Sequence, residues 1–260
     1  MQNNGEQKEQ SPGNDLPGIL ITGGSRGIGA AFVRLAAVQG HRICFTYISH
    51  EEKAQALVDE LTALGACIAC VQADTGDTVS ISGLFRKAEQ QIGPIGVLIN
   101  NAGITGPLGP FPGVTEDVMR SVLNVNVLGP MLLSQQAANA WKSEDRGGCI
   151  LNVSSTAARL GSPGEYVHYA AAKGALESFT VGLAKELAAD GIRVNAVAPA
   201  TTLTDIHATM GEPDRPARVA KNIPMRRPGQ PDEIAEAMLW LISDKASYVT
   251  GAILPVAGGL

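Results

Sequence analysis

The chain has 260 residues, 45% of them hydrophobic and 17% charged, with 30 glycines, which is a globular composition with ample material for a core. Its formal net charge of -5 argues against a general nucleic-acid binder, which needs a basic surface to displace counterions from phosphates. No apolar run reaches the 18 or so residues that a bilayer crossing takes, and the four cysteines are too few and too scattered to staple a secreted domain, so a cytoplasmic protein with no membrane or nucleic-acid partner is expected.

Residues 1–16 contain no apolar run and read as a disordered tail rather than a secretory signal. From Gly18 onward, short β-branched or apolar runs alternate with longer segments of helical period, the pattern of βα units around a parallel sheet. Seven strands are predicted, over 18–22, 42–47, 67–72, 97–100, 149–154, 193–198 and about 252–254. Helices are predicted between them over 27–39, 51–64, 78–92, 115–141, 163–189 and 231–243. Gly40, Gly65 and Gly191 each follow a helical segment, as residues that accept a left-handed helix end. Cys67 and Cys70 have redox-like spacing but fall on a predicted strand, where residues three apart face opposite sides, so both are expected to be small buried hydrophobes. No linker divides the alternation, so residues 17–260 read as one domain. Its one long irregular stretch, Pro199 to Gly229, carries five prolines, and about 200–229 is expected to be a substrate lid.

The segment Thr22-Gly23-Gly24-Ser25-Arg26-Gly27-Ile28-Gly29 leaves the first strand and opens the first helix. There, backbone N–H groups and the positive helix end can hold a pyrophosphate. Glycines at this spacing could also form an ordinary tight turn. Three further motifs accompany them: Asn100-Asn101-Ala102-Gly103 at the end of the fourth strand, Asp74 at the end of the third, and Tyr169-Ala170-Ala171-Ala172-Lys173 in a helical segment.

Together these motifs resemble the short-chain dehydrogenase/reductase family over about residues 17–260. The resemblance implies a Rossmann-like, doubly wound parallel seven-stranded α/β sheet in the order 3-2-1-4-5-6-7, with a dinucleotide across its carboxyl ends. Gly23, Ser25, Arg26, Gly27, Ile28 and Gly29 would then hold the cofactor together with Asp74 at the adenine, Asn101, Ala102 and Gly103, and Thr202 and Thr204 on the carboxamide and phosphate side. Ser155 resembles the family serine that binds the substrate oxygen. It stands fourteen residues before Tyr169, where the family's commonest distance is thirteen. Ser154 and Thr156 are therefore alternatives, and a turn at 161–164 that absorbs one residue favours Ser155. Asn126 matches the helix asparagine that supports a proton relay to the lysine. Ala200 replaces the usual glycine beside the nicotinamide and would be strained if a positive φ were required there. The resemblance also implies a homotetramer, with a dimer as the alternative.

Tyr169 and Lys173 are four apart in a segment of helical period and so share a face. A phenol must shift by ~3 units to exchange protons at neutral pH, an effect of ~4 kcal/mol. One positive charge ~4 Å away supplies about that much at an effective dielectric of ~20. Tyr166, whose position four later is Ala170, is expected to be pocket wall, and the four histidines show no metal-ligand spacing, so no metal is expected. The reading is an NAD(P)-dependent oxidoreductase for a carbonyl or secondary alcohol substrate, with Asn126, Ser155, Tyr169 and Lys173 catalytic. A catalytically idle dinucleotide-binding regulator is the rival. NADP(H) is preferred over NAD(H): the second strand ends at Tyr47, Ile48 and Ser49 with no carboxylate to meet a ribose 2′-hydroxyl, and Arg26 offers a fork for a 2′-phosphate.

Overall fold

The computed structural model of the chain describes residues 16–260, so the expected tail lies, except for Leu16, outside the described residues. The strands are β1 (Gly18–Ile21), β2 (Ile43–Tyr47), β3 (Ile68–Gln72), β4 (Ile95–Asn100), β5 (Gly148–Val153), β6 (Ile192–Pro199) and β7 (Ile253–Val256). They form one seven-stranded sheet in the order β3-β2-β1-β4-β5-β6-β7, with parallel pairing throughout. β1 lies at its centre and pairs with β2 on one side and β4 on the other. The chain reverses direction across the sheet there, which opens a crevice at the carboxyl ends.

The helices are α1 (Gly27–Val38), α2 (Glu51–Thr62), α3 (Leu84–Ile92), α4 (Glu116–Leu123), α5 (Gly129–Ser143), α6 (Ala157–Leu160), α7 (Val167–Leu187), α8 (Ile206–Thr209), α9 (Arg215–Val219) and α10 (Pro231–Ile242). The central strands are buried almost throughout and mostly apolar because both faces of the sheet are covered. Alternate residues serve different cores: Ile19, Ile21, Phe45 and Ile99 pack with Phe32, Val33 and Met238 of α1 and α10. Leu20, Cys44, Leu98 and Ile150 pack with Phe85, Leu133 and Trp141 of α3 and α5. Each such side chain, fully buried, is worth about 1.5–3 kcal/mol.

Four expected elements take a different form. The helix expected from 78 begins only at Leu84, after Gly83 in the left-handed conformation. The helix expected over 115–141 is interrupted by a π-helical segment, Asn124–Leu128. Pro130 in the first turn of α5 cannot donate to the ladder, and within the preceding turn Asn126 Nδ2 donates to the Val122 carbonyl. α7 begins at Val167, because Gly161, Ser162 and Gly164 all have positive φ and form the turn that precedes it. The 200–229 stretch carries two short helices, α8 and α9. Gly40, Gly65 and Gly191 are left-handed as expected. Cys67 corrects the sequence reading: it is exposed and Cys70 only partly buried, because β3 is an edge strand with one flank open. Cys44 and Cys149 are buried, and burial pushes their thiols up to about 12 and about 11, which leaves them as inert core residues.

Candidate active site

The site is assembled where β1, β4 and β5 end. Thr22 Oγ1 accepts from the backbone N–H groups of Asn101 and Ala102, both at 3.0 Å. Asn101 Nδ2 donates back to the carbonyls of Thr22 at 2.8 Å and Gly23 at 3.0 Å. Thr46 of β2 completes the brace, its hydroxyl accepting from Gly23 N–H. These bonds fix the glycine loop against the end of β4. A Cβ on Gly29 would lie 2.3 Å from the Gly23 carbonyl oxygen, so only glycine lets the first turn of α1 approach the strand end. Gly27 has φ +53°, and a Cβ there would lie 3.2 Å from the Thr204 methyl, which places Thr204 against the loop.

A cavity of about 730 Å³ opens over this cradle, within the range of cofactor and ligand sites. The glycine loop residues Gly23, Ser25, Arg26, Gly27, Ile28 and Gly29 line one end. Tyr47 and Ser49 line it too, as do Asn101, Ala102 and Gly103, Thr202 and Thr204. The reacting end is walled by Ser155, Tyr169 and Lys173. Two expected site residues stand off the wall. Asp74 is exposed and its Oδ1 accepts from Gly76 N–H at 2.8 Å, while its neighbours Ala73 and Thr75 face the cavity. Asn126 is fully buried behind Gly103 and donates to the carbonyls of Ile104 and Val122. Its Oδ1 is buried without a partner and would lie 2.8 Å from a Cβ on Gly103; Lys173 Nζ would lie 3.4 Å from the same point. The missing side chain of Gly103 therefore leaves Asn126 and Lys173 a shared space.

Ser154, Ser155 and Thr156 all line the cavity, and the side-chain bonding favours Ser155. Ser154 Oγ donates to Glu177 Oε1 at 3.0 Å, whereas the Ser155 hydroxyl lies beside the Tyr169 phenol and accepts from Ala157 N–H at 3.1 Å. Ala200 lies outside the left-handed region, so alanine carries no strain there.

Burial pushes the Tyr169 phenol above its ordinary value, and the Ser155 hydroxyl and the Arg215 charge oppose that effect. Lys173 is 3% exposed, donates to the Val153 carbonyl at 2.8 Å and sits 5.6 Å from the Tyr169 ring centre. Burial pulls its ammonium down to about 7. Near neutral pH Lys173 therefore presents less than the full charge expected of a lysine beside the phenol.

Among the cavity-wall residues that the sequence did not point to are His50, Lys53 and Arg215. Lys53 lies in the first turn of α2, just past Glu51 and Glu52, and lines the same cavity as Arg26 and Ser49. Its position in that first turn was the available signal. Arg215 lies in the stretch without periodicity and gave none. Tyr166 is pocket wall as expected.

The cradle and the cavity fit a nicotinamide dinucleotide: close backbone at the glycine loop for a pyrophosphate, and a phenol at the far end for the reacting group. Comparison with known proteins agrees. Residues 23–260 match the family described as Enoyl-(Acyl carrier protein) reductase. The chain is 46% identical over 242 residues to the uncharacterized oxidoreductase YgfF of Escherichia coli (strain K12), covering 92% of this chain and 98% of that protein. A blue fluorescent protein from a metagenomic library, solved in complex with NADPH, superposes with a TM-score of 0.84 at 38% identity, covering 93% of this chain and 97% of the other. A 3-ketoacyl-(acyl-carrier-protein) reductase from Brucella melitensis complexed with NADH gives 0.85 at 30% identity, covering 94% and 97%.

Proposed function

The chain belongs to the short-chain dehydrogenase/reductase family, enzymes that act on C=O or CH–OH groups with a nicotinamide cofactor, and from that premise we propose that it is an NADPH-dependent carbonyl reductase with Tyr169 as its acid. The observation that carries this reading is the convergence of Ser155, Tyr169 and Lys173 on one wall of a cavity whose other end gathers Arg26, Ser49, His50 and Lys53. A nicotinamide cofactor, when bound, supplies a hydride to the carbonyl carbon or takes one from the alcohol carbon.

The chain's own work falls on the oxygen. Ser155 donates to it and orients it, and the Tyr169 O–H releases its proton to it as negative charge develops. One C–H and one O–H bond form, and the phenolate left behind is stabilised by the Lys173 ammonium. Asn126 and Lys173 border the space left by Gly103, the route by which Tyr169 recovers a proton. The reverse sequence oxidises an alcohol. The idle-regulator alternative is set aside, because a regulator needs no such convergence.

One solved neighbour holds NADPH and another NADH, so they support a nicotinamide without choosing between the two. The choice of NADPH rests on Arg26, Ser49 and Lys53 at one end of the cavity. Glu51, the nearest acid, sits against the Tyr47 hydroxyl and off the wall. We also take residues 17–260 as one functional unit, with 200–229 as the substrate lid. The exposed apolar side chains Leu123, Leu128 and Val167, on mutually packed elements, support a homo-oligomer, a tetramer before a dimer. A cytoplasmic site is supported by the free, exposed Cys67, and no helix among the described residues is long and apolar enough to cross a membrane.

The test compares kcat/KM for NADPH and NADH over a panel of ketones, aldehydes and quinones. A charge-assisted contact of about 1.5–3 kcal/mol predicts a ten- to hundred-fold NADPH preference. Arg26→Ala and Lys53→Ala should each erode it with little effect on NADH kinetics. Parity or an NADH preference would sink the assignment.

A further inference from the structure

Among the charged side chains in the cavity wall that this reading does not use, the most buried is Arg215. Arg215, at the start of α9, is 7% exposed. Its Nη2 donates to the Tyr166 hydroxyl at 2.7 Å and to Glu165 Oε2, and its Nη1 to Thr201 Oγ1 at 3.3 Å. The guanidinium carbon stands 5.2 Å from the Tyr166 ring centre, and Nε is buried with no partner. Tyr166 in turn meets Tyr169 edge to face, with ring centres 5.3 Å apart and planes at 90°. A contact chain therefore runs from α9 through Tyr166 to the reacting phenol.

A buried cation is costly unless it is well paired, and simple anchoring of this segment does not need one here. Arg218, half exposed, already ties Glu165 to Glu212. Arg215 instead places a second cation within the field of Tyr169, where Lys173 alone contributes a charge that fades near neutral pH. A guanidinium holds its charge across the range in which lysine titrates.

We propose that Arg215 is a positioning residue for the reaction: it grips Tyr166, holds that ring against Tyr169, and supplies the second positive charge in the field of the reacting phenol. The proposal rests on Tyr169 as the acid/base. The titratable and charged groups around Tyr169 are Lys173 and His168 on α7 itself, the latter bonded to the Thr105 carbonyl, Tyr166 and Glu165 just before it, and Arg215 and Arg218 on α9. On the other elements packed there, Arg120 of α4 pairs with Glu116 at the surface, Arg159 of α6 pairs with Glu177, and His207 of α8 bonds the Thr202 carbonyl.

The experiment measures the pH dependence of kcat/KM for alcohol oxidation, whose acid limb follows ionisation of the proton acceptor, together with cofactor dissociation constants. Arg215→Met should move the acid limb up by about one unit and leave the cofactor constant within about twofold. Arg215→Lys should restore most of the limb but not kcat, because an ammonium cannot fork between Glu165 and Tyr166. Tyr166→Phe, which keeps the charge and loses the grip, should move it by a smaller amount in the same direction. An acid limb unmoved in folded Arg215→Met overturns the proposal. Should that variant not fold, an unmoved limb in Tyr166→Phe together with a wild-type kcat in Arg215→Lys does so instead. Tyr169→Phe runs in parallel: wild-type turnover there removes the acid/base reading and this proposal with it, whereas an inactive Tyr169→Phe beside an unmoved Arg215→Met limb removes only the role of Arg215.

Discussion

Lys173 is a lysine held in a place that resists its charge. Its hydrogen bond to the Val153 carbonyl compensates only part of the desolvation, and the group titrates near 7 instead of its ordinary 10.5. The consequence for stability has a definite sign. The unfolded chain keeps a proton on this lysine up to about 10.5, whereas the folded chain loses it above about 7. Unfolding therefore takes up a proton in that window, and stability rises with pH at up to about 1.4 kcal/mol per unit. Below 7 both states are charged and the penalty is fully present. Tyr169, raised above its ordinary range, acts in the opposite direction only above about pH 10. Urea unfolding at pH 7 and pH 9 should show the wild type gaining up to about 2–3 kcal/mol, and Lys173→Met should lose that slope. An identical slope in both proteins would mean that Lys173 stays charged in the fold.

The elements set these side chains in place, and their two ends do different work. β5 begins at Gly148, where a Cβ would lie 2.4 Å from the Trp141 ring, and ends beside Ser154 and Ser155. Trp141 is fully buried, donates to the Ile95 carbonyl at 2.7 Å and meets Phe85 edge-on, so it has no room to retreat. Gly148→Ala should therefore cost about 1–3 kcal/mol of stability through overpacking, read as a lower urea midpoint, while kcat/KM stays within about twofold. A large loss of activity in the folded variant would contradict this separation of strand ends. The strand runs and most of the helices were legible because apolar continuity and helical period are local properties. The π segment Asn124–Leu128 was not, since a single wide turn leaves the helical pattern of its neighbours unbroken. α8 and α9 were not legible either, because each is too short to show a period.

At the scale of the whole molecule, the parallel sheet brings the ends of β1, β4 and β5 to one crevice, and there the motif residues Gly23, Asn101, Ser155 and Tyr169 meet at one cavity. That convergence could be anticipated from ordered motifs. The place of Arg215 on the cavity wall could not, because it depends on how an aperiodic segment folds back over the crevice. The Cys67 error has a similar origin: a strand can be recognised from its residues, but its place at an edge is set by the whole sheet.

The proposed chemistry runs through the phenol of Tyr169, and Tyr169→Phe removes one oxygen while keeping the ring that packs against Tyr166. With NADPH and a carbonyl substrate on which the wild type is active, kcat should fall by at least the hundredfold typical of a positioned acid/base group, while the NADPH dissociation constant changes by less than about twofold. Turnover at the wild-type level in that variant would contradict the assignment of the acid.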